Sequence, residues 1–170
     1  MDTLTLLDAE RATLMANVSR IAEQDRSRRP AADRWSVAEV LEHLAMVDRS
    51  VAKLIAKRGR QAPLPDQAPA SSLDETRVAL LRGRDTRMDV PDFVRPSGSL
   101  NCADAQRALY EARAGLRQAV VDADPASLDG CTHPHPLLGP ITLRDWVHFV
   151  AHHEARHAAQ VAEIAESLAR

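Results

Sequence analysis

The residues most able to do chemistry stand near the end of the chain, in the run Trp146-Val147-His148-Phe149-Val150-Ala151-His152-His153-Glu154-Ala155-Arg156-His157-Ala158-Ala159-Gln160. At about 100° per residue, Trp146, Phe149, Val150, His153, His157, Gln160 and Ile164 share one stripe of a helix, while His148 and His152 fall away from it. His153 and His157 therefore point where the apolar residues point. Two imidazoles at i and i+4 on a buried face lose their water without gaining an obvious partner, and one divalent metal ion satisfies both. Metal binding is the chemistry this spacing suggests. His148 and His152 make a second i, i+4 pair whose phase predicts a surface or flank position, and His133 and His135, each followed by proline, read as loop residues.

The segment His153-Glu154-Ala-Arg-His157 also satisfies the zincin pattern H-E-x-x-H. That chemistry needs a further ligand downstream, yet few residues follow His157, and Gln160 and Glu163 stand where the longer motif has Gly and His. A protease is not expected. Glu154 remains a candidate base beside a metal, with a phase nearer the helix flank than the core. Arg156 is either a contact for an anionic cosubstrate or a salt-bridged surface residue. Gln160 is positioned to bond a ligand imidazole or bound water, or to bridge two helices.

These residues need a scaffold, and four long helical patterns supply it. The first covers roughly residues 3 to 24, with Leu4, Leu7, Leu14, Val18 and Ile21 recurring before Arg26-Ser-Arg-Arg-Pro30 ends it. The second opens at Ser36 and Glu39, an S-x-x-E capping box, with Trp35 placed to staple onto Val40. It carries Val40, His43, Leu44, Val47, Val51 and Leu54 to one side and stops near Gly59. Prolines 63, 65 and 69 with Ser71-Ser72 mark a loop. Residues 72 to 87 predict one short helix opening at Ser72, and Met88 to Gly98 a second extended loop. A third long helix is expected from about Asn101 to Asp122, with Leu109, Tyr110, Leu116 and Val120 inward. Asp124 to Pro140 reads as a turn-rich connection, and Thr142 or Leu143 begins the last helix. No alternating strand pattern of useful length and no internal repeat is found. The expected fold is all-α: an up-and-down four-helix bundle with one additional short helix, in a single domain over residues 1–170. In such a bundle His43, about one turn into the second helix, becomes the third ligand beside His153 and His157.

Composition excludes other classes. The chain has 170 residues, 45% of them hydrophobic and 27% charged, with a net charge of -2. That charge offers no electrostatic reason to expect nucleic acid. No stretch is long and apolar enough for a membrane span, and the first residues lack a signal peptide's basic region, so a cytoplasmic protein without a membrane partner is expected. Cys102 and Cys131 form no CxxC motif and read as reduced, unpaired thiols without an assigned function.

The stretch Trp35-Ser-Val-Ala-Glu39-Val-Leu-Glu-His43-Leu resembles the W-S-x-x-E-x-x-x-H-L segment of the DinB-like superfamily. His135-Pro136-Leu-Leu-Gly139-Pro140-Ile-Thr142-Leu-Arg-Asp-Trp146, followed by His153-Glu154-Ala-Arg156-His157-Ala-Ala-Gln160, resembles that family's H-P-x-x-G-x-x-T-x-x-x-W and H-E-x-x-H-x-x-Q stretch. The resemblance implies a four-helix bundle with a three-histidine divalent metal site at His43, His153 and His157, holding zinc or nickel, and a homodimer in several branches. For activity it implies a metal-dependent thiol S-transferase joining a low-molecular-weight thiol to an electrophile in detoxification or stress. Alternatives are a non-enzymatic metal- or ligand-binding bundle and a metal-dependent hydrolase. No residue is singled out as catalytic beyond the metal ligands.

Overall fold

The computed structural model describes residues 2–64, 70, 73–85 and 90–169. Four long helices form the frame: α1 (Thr3–Ser19), α2 (Val37–Arg58), α4 (Cys102–Val121) and α6 (Leu143–Leu168). Two short helices, α3 (Glu75–Arg82) and α5 (Pro125–Gly130), 3₁₀ turns at Glu23–Asp25 and Asp92–Val94, and a hairpin of β1 (Thr132–His135) and β2 (Gly139–Thr142) complete the described elements.

Each long helix begins where a side chain can accept the orphan backbone N–H groups of a first turn: Asp2, Ser36, Asn101 and Thr142 are the N-caps. At Ser36 the full capping box forms, because Glu39 reaches back to the Ser36 amide at 2.9 Å while its own amide bonds the Ser36 hydroxyl. The sequence placed these starts closely. α1 is shorter than expected, ending at Ser19 before a separate 3₁₀ turn at Glu23–Asp25. α3 is capped by Asp74, whose carboxylate accepts from the Arg77 amide at 2.9 Å; the predicted opener Ser72 lies outside the described residues.

The expected all-α four-helix bundle forms, and the long helices run up, down, down, up rather than alternating. α1 is parallel to α6, since Thr3 meets His148, Arg11 meets Glu154, and Asn17 donates to the Ala158 carbonyl. α2 is parallel to α4, since Asp48 pairs with Arg113 and the ends join through Asp124 N–H to the Gly59 carbonyl. The physical reason is the connection between α2 and α4, which is long enough to return the length of the bundle, as a short turn could not.

One end of the core is built from Leu14, Val18, Val40, Leu41, Leu44, Leu109 and Val161, the other from Leu7, Val47, Val51, Ile55, Leu116, Val147 and Val150. Tyr110, expected inward, is 49% exposed, because Leu109 takes the buried phase of α4. The turn-rich connection before α6 holds α5 and the hairpin, whose strands are too short for an alternating pattern to register. His135 pairs with Gly139 in the hairpin, and Gly139 takes φ +70°, a left-handed conformation glycine adopts without a Cβ penalty.

Candidate metal centre

His43 reaches the site from the second turn of α2, and His153 and His157 from successive turns of the antiparallel α6. One ring nitrogen from each lies within 4.8 Å of the others. His43 and His157 are 3% and 6% exposed, and His153 is half-buried. The three residues named from the sequence are thus brought together.

Hydrogen bonds determine what these rings can offer. The Val94 carbonyl lies 2.7 Å from His43 Nδ1, and a carbonyl only accepts, so Nδ1 carries the proton and Nε2 a bare lone pair. Gln160 Oε1 does the same for His157 Nδ1 at 2.8 Å. That oxygen also faces Arg84 Nη1 at 3.5 Å, which agrees with the amide orientation. The Nε2 lone pairs of His43 and His157 therefore face the site, and His153 Nε2 donates its N–H to His43 Nε2 at 2.9 Å. His153 is held by ring packing, stacked on Phe149 with centroids 5.2 Å apart. Phe149 is braced in turn by His135 at 4.5 Å and Trp146 at 5.5 Å, while Trp35 covers His43 and His157 at 5.1 and 6.3 Å.

Burial makes the cluster neutral. Desolvation lowers the pKa of His43, and it holds His153 and His157 well below the imidazole range, with the neighbouring rings adding to the shift. Neutral imidazoles are the form that binds a transition metal, and outer hydrogen bonds that fix the tautomer are the usual support of such ligands. The donor set suits a divalent ion.

The neighbouring residues divide differently from the helical phase drawn above. The buried centre of α6 runs through Val147, Ala151, Glu154, Ala158 and Val161, and the histidines flank it on the side facing α2. Glu154, expected near the helix flank, is fully buried. Its carboxylate is held by Arg11 of α1 and Arg113 of α4, and those guanidiniums also face Asp48 of α2 at 3.5 and 2.9 Å. It is a core counter-ion turned away from the histidines, not their base. Arg156 is likewise buried rather than superficial, with Arg84, Glu163 and Asp85 as charged neighbours. Gln160 takes the ligand-facing role.

His135, expected in a loop, is a buried strand-end residue whose Nδ1 accepts from the Leu137 and Leu138 amides, and burial pushes its pKa down to about 4. His152 accepts from Arg82 of α3 at 3.1 Å and is also drawn down to about 4, by burial first and then by Arg82. His148 faces Thr3 at 3.1 Å. Neither belongs to the cluster. Val94 was invisible to sequence reasoning, since a backbone acceptor has no side-chain signature. Trp35, which the sequence marks as a staple and as the first residue of the family-like segment, also covers two of the histidines. Cys102 and Cys131 are buried and unpaired.

Comparison with known proteins adds three findings. Residues 6–161 match the family model of the DinB superfamily. The uncharacterized protein YuaE of Bacillus subtilis (strain 168) is 26% identical over 151 residues, covering 88% of this chain and 89% of that protein. The crystal structure of TT2238, a four-helix bundle protein, shares the fold with a TM-score of 0.63, over 95% of this chain and 96% of that one, at 24% identity.

Proposed function

From the premise that this chain belongs to the DinB superfamily, we propose that it is a metal-dependent thiol S-transferase whose divalent ion, zinc or nickel, is held by His43, His153 and His157. The observation that carries the metal reading is the convergence of three neutral imidazoles, His43 and His157 buried and His153 half-buried, two of them with tautomers set by Val94 and Gln160. A three-histidine ion with an open position supplies a Lewis acid that lowers the pKa of a bound thiol and presents its sulfur as a nucleophile. The chain's own residues do the rest. Trp35, Phe149 and Trp146 give the site an apolar aromatic wall that excludes water and suits an uncharged electrophile. Arg84, paired with Glu163 at 2.9 Å, and Arg156 stand on the Gln160 side, where a carboxylate-bearing thiol cosubstrate would compete with Glu163 for the guanidiniums. Residues 1–170 act in this reading as one domain in the cytoplasm, as a homodimer. Among the described residues no helix is long and apolar enough to cross a membrane.

The test is elemental analysis of untagged protein, followed by consumption of a low-molecular-weight thiol in the presence of an electrophile. Near-stoichiometric metal that is lost in His43→Ala, His153→Ala and His157→Ala, with thiol consumption lost alongside, is the expected result. Metal that raises the melting temperature with no thiol chemistry on any electrophile would replace the transferase by a metal-binding bundle.

A further inference from the structure

One buried carboxylate near the histidines belongs neither to their coordination nor to the ion pairs of the core. Glu42 precedes His43 on α2 and is 9% exposed. It accepts from the Ser97 amide at 3.0 Å through Oε1 and from the Gly98 amide at 3.3 Å through Oε2. The same stretch of chain, three residues earlier, supplies the Val94 carbonyl that takes the proton of His43 Nδ1 at 2.7 Å. Gly98 has φ +72°, and a Cβ there would stand 3.2 Å from Glu39 Oε1, so the segment passes this closely because position 98 has no side chain.

We propose that Glu42 is a positioning residue for His43. By gripping two successive N–H groups it clamps residues 94–98 onto α2, and the clamp holds the Val94 carbonyl on His43 Nδ1. The imidazole then keeps its proton on Nδ1 and its Nε2 lone pair towards His153 and His157. A carboxylate is suited to this task because both of its oxygens accept, and charge-assisted bonds to N–H groups offset the cost of burying it. An amide at this position has only one accepting atom and would set its own N–H group against a backbone N–H. The clamp also ties a metal-facing side chain to the connection between α2 and α4, so that a displacement of this segment is transmitted to His43.

The inference rests on the metal reading, but its first readout does not. Imidazole ¹⁵N NMR of metal-free protein at about pH 8, well above the usual imidazole pKa, reports which nitrogen of each histidine carries the proton. Zinc affinity is then measured by competition with a chelator. In Glu42→Gln we expect His43 to populate both tautomers, His157 to keep its own through Gln160, and zinc affinity to fall about 10- to 100-fold, the usual cost of losing an outer partner of a ligand. Glu42→Asp, one methylene too short to reach both amides, should behave alike and serves if the amide variant does not fold. A variant that melts earlier but keeps His43 protonated on Nδ1 and binds zinc as tightly as wild type would overturn the proposal, leaving Glu42 as a brace for the loop alone. A tautomer change in a protein whose wild type takes up no zinc would uphold the positioning role and remove the metal reading.

Discussion

Two buried polar clusters lie side by side in this bundle, reached from adjacent residues of α6. Through Glu154 the helix enters a quartet with Arg11, Asp48 and Arg113, one residue from each long helix, in which two positive charges face two negative ones. Through His153 it enters a trio with His43 and His157 in which every member is a neutral imidazole and the inner nitrogens face one another. The quartet is compensated from within, although Arg11 leaves both Nη1 and Nη2 without a hydrogen-bond acceptor. The trio is satisfied on its outer side, by Val94 and Gln160, while on its inner side three ring nitrogens meet around the single proton of His153 Nε2. That difference separates a structural polar core from a ligand site. Charges that cancel hold helices together, whereas donors that share one sign of need call for something else.

The sharpest way to break the comparison is at the quartet. Glu154→Ala leaves two buried guanidiniums with Asp48 as their one remaining carboxylate and should cost about 3–5 kcal/mol in urea unfolding. A loss below about 1 kcal/mol would mean that the quartet carries little of the fold. The trio should respond in the opposite sense. His157→Ala should change the stability of metal-free protein by about 1 kcal/mol, while abolishing the gain of about 2.7 kcal/mol that zinc at a hundred times its Kd gives the wild type. A zinc-dependent rise in melting temperature that survives the substitution would remove His157 from the ligand set.

Acid separates the clusters next. The folded pKa values of His43, His153, His157 and His135 all lie below the ordinary imidazole value near 6.5, because burial disfavours the charged ring. As pH falls, the unfolded chain therefore takes up protons before the folded one. Stability should be full above about 6.5 and decline below it, for His135 down to about 4. Urea midpoints at about pH 8, 6 and 5 test this, and a midpoint that stays level or rises towards acid would contradict it. The smallest effect is expected at the helix start that carries His43. Ser36→Ala deletes half of the capping box and should cost about 1 kcal/mol, with zinc still bound in stoichiometric amount. Loss of the metal there would mean that the N-terminus of α2 is far less secure than its packing indicates.

Much of this was legible from local pattern. Ser36 with Glu39, Asn101 and Thr142 announced their helices because a cap acts within one turn of itself. The histidines at 153 and 157 announced a shared face because the helical period is constant. The phase was still off by one flank: a stripe drawn through Trp146, Phe149 and His153 assumed one buried side, whereas α6 is buried against α1 on one side and faces α2 and α3 on others, which carried Glu154 and Arg156 inside.

What the sequence determined by itself is the four long helices, their starts, and the three histidines able to meet. Those depend on residues a few positions apart, where backbone geometry dictates the neighbour. What only the tertiary structure decided is the up, down, down, up order, the partner of Glu154, the burial of His135, and the carbonyl and carboxylate that orient His43. Each of these is a meeting between elements far apart in the chain, or a backbone atom that every residue possesses, and helical periodicity carries no information about either.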